Sequence, residues 1–155
     1  MGVLTADLNV SGVGPQITLP FVANAADTYY RGAIVWIDTA GGVQVTWGAG
    51  DRAIGYSPKK QTPAVGDLVE VVVFGAAWFP AITGVAAGDE GNTIVFDADT
   101  PPTDNIDDAD SGEGITEAAG DIRVGRIMRY TASKTLVMFT GITGSLSVGL
   151  TGTWD

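Results

Sequence analysis

The run Leu68-Val69-Glu70-Val71-Val72-Val73-Phe74 settles which secondary structure this chain is built from. Consecutive β-branched valines crowd the turns of a helix and suit an extended, pleated backbone. Turn signals bound the run, with Gly66-Asp67 before it and Gly75 after it. A short, almost unbroken apolar segment between turns reads as a strand covered on both faces, hence a central one. Outward from it the same grammar repeats. Ala76-Ala77-Trp78-Phe79-Pro80 follows, and Pro63 to Asp67 is a turn that leads back to the short strand Ala53-Ile54-Gly55-Tyr56. Gly48-Ala49-Gly50-Asp51 is another turn, and Val43-Gln44-Val45-Thr46-Trp47 alternates as a strand with one wet face does. Ala33-Ile34-Val35-Trp36-Ile37 is a strand closed by the turn Asp38-Thr39-Ala40-Gly41-Gly42.

The second half continues the pattern. Thr93-Ile94-Val95-Phe96, Ile122 to Tyr130 and Thr135-Leu136-Val137-Met138-Phe139 are further strands. No window sustains a helical apolar stripe, and the best helical candidate is the short stretch from Ile115 to Ala119. The fold class expected is all-β, a compact β-barrel or β-sandwich. Residues 1–28 read as an N-terminal strand or an extended arm, interrupted by Pro15 and Pro20, and residues 29–155 as a single β domain.

Composition narrows the chemistry. The 155 residues contain no cysteine and no histidine, which removes disulfides, thiolate sites, the commonest general base and the commonest metal ligand. Twenty-two glycines suit frequent turns better than helices. The expectation is a protein that is not an enzyme, with no catalytic residues. A net charge of −10 disfavours phosphate-backbone binding and anionic membranes, so neither nucleic acid nor membrane is an expected partner. Met1 to Asp7 has neither a basic start nor a long apolar run, so no signal peptide is expected.

The two halves echo each other. Ile34-Val35-Trp36-Ile37-Asp38 is matched by Ile94-Val95-Phe96-Asp97, Gly50 to Tyr56 by Gly120 to Arg126, and Leu68 to Gly75 more loosely by Leu136 to Gly141. Two related β units closing on each other would give one barrel or sandwich; the alternative is that β proteins reuse such turns and strands. On this alignment an acidic loop at about 97–114 is an insertion in the second unit. From Gln61 to Ile122 there are 13 carboxylates and no Lys or Arg, so the charge is lopsided.

Four features invite a chemical reading. Asp104, Asp107, Asp108 and Asp110 in the acidic loop are candidate ligands for Ca²⁺, although the EF-hand spacing fails and a solvated loop is the simpler account; no cofactor is expected otherwise. Asp38-Thr39-Ala40-Gly41 has a distant likeness to the aspartic-protease loop, but a hairpin turn explains it. Trp36, Trp47, Trp78 and Trp154 could line a sugar-binding face, with core and rim packing as the plainer reading. Val3, Leu4, Ile17, Leu19 and Trp154 are apolar residues at the chain's ends and are candidates for an interface.

The run Arg31-Gly32-Ala33-Ile34-Val35 … Ala53-Ile54-Gly55 … Ala64-Val65-Gly66-Asp67-Leu68-Val69-Glu70-Val71 … Gly75 … Val85-Ala86-Ala87-Gly88-Asp89 … Gly125 resembles a family of small phage proteins, the capsid-cement or head-decoration proteins. The resemblance covers residues 30–140 or so. The acidic insert and residues 1–28 depart from the family's shorter pattern. What the resemblance implies is a structural virion protein seated on the outer capsid surface. Its partner would be the major capsid protein, it would assemble as a homo-oligomer with a trimer favoured, and it would be synthesised in the host cytoplasm. A carbohydrate- or receptor-binding β module of a phage particle is the alternative expectation.

Overall fold

The computed structural model describes residues 4–46, 48, 50–82, 85–96, 110–111 and 122–141. Within them lie nine strands: β1 (Ser11–Val22), β2 (Ile34–Ile37), β3 (Val43–Gln44), β4 (Arg52–Tyr56), β5 (Leu68–Pro80), β6 (Thr93–Phe96), β7 (Asp110–Ser111), β8 (Ile122–Thr131) and β9 (Lys134–Thr140). They form one curled antiparallel sheet in the order β3-β2-β4-β5-β9-β8-β6-β7, with β1 added on β5. No helix occurs among the described residues, and the chain is all-β as expected. The helical candidate from Ile115 to Ala119 lies outside them.

The valine-rich run is central, but its strand does not stop at Phe74. It continues through Gly75 to Pro80, pairing with β4 at Tyr56↔Val72 and with β9 from Phe74↔Thr140 to Pro80↔Lys134. Strand alternation explains how one strand serves both halves. Val72 faces one core cluster, and so do Ala77 and Phe79, which are of opposite parity. The register with β1 slips between Ile17↔Phe74 and Thr18↔Val72, so one extra residue of β5 sits there. Because side chains alternate every residue, that bulge exchanges the inward and outward sets.

The leader resolves into β1, a strand of the sheet. Both prolines fall inside it. Pro15 lies in the register shift between Val13 and Ile17, and Pro20 stands opposite Glu70. A proline gives the ladder no N–H, but among the described residues β1 pairs only with β5, so its other edge asks for none. The strand is held at both ends. Leu8 N–H donates to Arg31 O at 2.9 Å and Arg31 N–H to Asp7 Oδ1 at 2.8 Å, while Ala23 N–H donates to Asp67 O at 2.8 Å.

The internal echo has a structural counterpart. β3-β2-β4-β5 and β7-β6-β8-β9 are joined in the same order. The β2–β4 ladder pairs Val35 with Gly55 and then slips, and the β6–β8 ladder pairs Ile94 with Gly125 and then slips. The equivalent of Ile94 is therefore Val35, the pairing that also sets Asp38 against Asp97 in the sequence. Gly55 and Gly125 are also alike in what they touch. A Cβ on Gly55 would collide with the carbonyl oxygen of Val72, and one on Gly125 would lie 2.8 Å from that of Met138. Val72 and Met138 hold equivalent places, opposite Tyr56 and Arg126.

Two apolar clusters hold the sheet. One, inside the curl, contains Ile34, Trp36, Tyr56, Phe79, Ile94, Ile127 and Phe139, with Tyr56, Phe79 and Phe139 packed ring to ring at 5.1–5.8 Å. The other lies across β2, β4 and the start of β5, and includes Tyr29, Val35, Val43, Ile54, Val69 and Val71, with Leu4 and Phe21 against it. The turns share one device. In Gly48-Ala49-Gly50-Asp51, Ala64-Val65-Gly66-Asp67 and Ala86-Ala87-Gly88-Asp89 the third residue is a glycine with φ between 91° and 100°. The aspartate's N–H donates to the first residue's carbonyl at 2.9–3.2 Å, and its carboxylate accepts that residue's N–H at 2.7–3.0 Å. The motif needs glycine for the left-handed backbone and a short acid to close the loop.

Candidate protein-docking face

The parity exchange in β5 creates an outward face on β1, β5, β9 and β8. Residues paired directly across antiparallel strands point to the same side. Three cross-strand rows follow from the registers: Ile17–Phe74–Thr140, Val13–Ala76–Met138–Arg126 and Ser11–Trp78–Leu136–Arg129. Val13, Ile17 and Phe74 remain 43%, 50% and 41% exposed, and together they leave apolar side chains uncovered on paired strands. Met128, beside the slip in β8, is 46% exposed. Leu19, two residues beyond Ile17 and so on the same side of β1, is 44% exposed.

The charge on this face is of one sign. Arg126 and Arg129 are exposed along its β8 border and Lys134 at its hairpin end. No carboxylate occurs from Leu8 to Ala26, from Val71 to Ile82 or from Ile122 to Gly141. Arg126 Nη1 donates to Gly91 O at 2.9 Å, which fixes the border, and Lys134 Nζ lies 4.5 Å from the centre of the Trp78 ring. At that end the hairpin between β8 and β9 is tied by Thr131 Oγ1, which accepts from Lys134 N–H at 3.1 Å and donates to Lys134 O at 3.0 Å. Beneath it opens a groove of about 300 Å³ lined by Asn9, Ser11, Trp78, Pro80, Ser133 and Lys134.

The aspartates nearest to chemistry are occupied with structure. Asp38 Oδ1 accepts from the N–H groups of Ala40 and Gly42 at 2.8 and 3.2 Å, and Asn24 Nδ2 donates to its other oxygen, so the protease-like segment is a turn. Asp51 is buried and accepts from Gly48 N–H and Gln44 Nε2, both at 2.7 Å. Among the described residues no group of three or more acids could hold a metal. Burial pushes the Tyr29 phenol up to about 12, with Asp27 adding to the rise, and burial also raises that of Tyr56, opposed by its hydrogen bond from Gln16.

Of the residues singled out from sequence, Ile17 and Leu19 lie on the outward side, while Leu4 is half-buried against the second cluster. Val3 and Trp154 lie outside the described residues, as do Asp104, Asp107 and Asp108. Asp110 is in β7, paired with Val95. Trp36 is fully buried, Trp78 is half-buried at the groove, and Trp47 is outside the described residues. Val13, Phe74, Met128 and Lys134 were missed. Phe74 reads as core in the sequence because the run before it is unbroken, and only the bulge turns it outward. No protein-family model, no curated protein and no solved structure matches the chain.

Proposed function

We propose that this chain is a non-enzymatic structural protein that docks through the β1–β5–β9–β8 face onto the outer surface of a phage capsid and stabilises it as a decoration or cement protein. The observation that carries this reading is the row of half-exposed Val13, Ile17 and Phe74 on paired strands, free of carboxylates, in a protein of net charge −10. A rigid sheet face loses little conformational entropy when covered, which lowers one of the costs of docking. Its basic border suits an acidic surface. Many modest contacts repeated over a shell would act together. On this reading the major capsid protein is the partner, the protein acts as a homo-oligomer with a trimer favoured by the resemblance, and its place is the virion exterior after synthesis in the host cytoplasm.

The test is co-sedimentation with expanded shells of the phage that encodes it, followed by calorimetry of the shells. Binding and a raised shell melting temperature are expected. The double variant Ile17→Asp, Phe74→Asp should keep its fold, since both residues are already half-exposed, and bind at least about tenfold more weakly. Wild-type protein that leaves shells unbound and their melting unchanged would remove the proposal.

A further inference from the structure

We propose that the groove under the β8–β9 hairpin, at the end of the sheet face and sharing Ser11, Trp78 and Lys134 with it, binds a uronic-acid sugar, a pyranose carrying one carboxylate. Four observations converge on this. The groove, at about 300 Å³, has room for a mono- or disaccharide. One wall is formed by Pro80 and the half-buried indole of Trp78, apolar surface beside the Lys134 ammonium that the C–H groups of a pyranose can meet. The remaining lining is the amide of Asn9 and the hydroxyls of Ser11 and Ser133, which can both donate to and accept from sugar hydroxyls. The fourth is Lys134, whose ammonium is held over the Trp78 ring at 4.5 Å.

Lys134 decides the class. Among the described residues the one salt bridge is Lys59–Glu70, so the Lys134 ammonium has no described carboxylate partner and sits where a ligand's carboxylate can supply one. Its backbone is fixed by the two Thr131 hydrogen bonds, and its ammonium rests on the Trp78 ring at the edge of the groove. A single ammonium balances a single carboxylate. A nucleotide or a phosphate polymer would bring more negative charge than this end of the molecule offsets, against a net protein charge of −10. No acid lies in the segments that frame the groove, Leu8 to Ala26, Val71 to Ile82 and Ile122 to Gly141, so none is close by in the chain to repel a monoanion.

The experiment is a titration of the full chain with methyl galacturonide, read by calorimetry and by the indole N–H resonance of Trp78, assigned from Trp78→Phe. Binding with a Kd of about 1 mM or tighter is expected, with the neutral methyl galactoside at least about tenfold weaker. Lys134→Gln, at an exposed position, should fold normally and abolish the preference for the acidic sugar. Absence of binding, an indole resonance that does not move, or an unchanged preference in Lys134→Gln would overturn the proposal. Equal binding of succinate would reduce the site to a plain anion site, and equal binding of uridine monophosphate would reassign it to nucleotides; either result also overturns the sugar assignment. Shell binding is measured separately, so failure of one proposal leaves the other standing.

Discussion

Tyr29 shows how one residue ties the second core to pH. Its ring is fully buried and its hydroxyl donates to Val43 O at 2.9 Å. Burial, with Asp27 adding repulsion, raises its ionisation from 10.0 to about 12. The folded state therefore holds this proton more tightly than the unfolded state. The associated stability, on the order of 2 kcal/mol, is complete below pH 10 and is lost as pH rises from there through about 12. Ultraviolet titration of the phenols should show Tyr29 ionising together with unfolding. Tyr29→Phe should cost about 1 kcal/mol at neutral pH, because Val43 O keeps its bond from Asn24 N–H, and should move the alkaline transition upward. An alkaline transition unchanged in that variant would show that Tyr29 does not set it.

At the scale of the element, β4–β5 and β8–β9 are two versions of one contact with different tolerances. The β5 backbone presses on Gly55 so closely that a Cβ there would collide with Val72 O, whereas a Cβ on Gly125 would lie 2.8 Å from Met138 O and 3.0 Å from the side chain of Val137, a tight but lesser overlap. Gly55→Ala should therefore cost about 3 kcal/mol or more, or prevent folding, and Gly125→Ala about 1–3 kcal/mol. Denaturant midpoints check this, and equal losses would contradict the unequal packing. β1 teaches a related lesson. The sequence left it open as strand or arm, because twelve residues with two prolines and no charge carry no local signal of a partner. Its partners are 46 to 67 residues away, and Phe21 and Ala23 at its end join the second cluster, so it is part of the body.

The molecule as a whole carries its charge unevenly. Ten excess negative charges repel one another more in the folded than in the expanded chain, and salt screens that repulsion. Raising NaCl from about 10 mM to about 0.5 M should increase stability by about 1 kcal/mol, a rise in Tm of about 2–4 °C for a chain this size. A fall in Tm would mean that attractive pairs dominate. The salt bridge Lys59–Glu70, at 2.9 Å, is more than half exposed on both sides, so little loss is expected from its screening.

What could be read from the chain alone was what depends on neighbours in sequence. Runs of valine and isoleucine between Gly-Asp turns specify strands, because β-branching and left-handed glycines act within a few residues. The echo between the halves was visible for the same reason, while the pairing within Ile34 to Asp38 and Ile94 to Asp97, five residues against four, needed the ladders. What awaited the tertiary structure depends on register. A single extra residue in β5 points Phe74 outward, brings Ile17 and Val13 beside it, and separates an exposed face from a core of the same composition. Since side chains reverse direction at every position of a strand, no amount of local pattern can place a face until it is known which residue pairs with which.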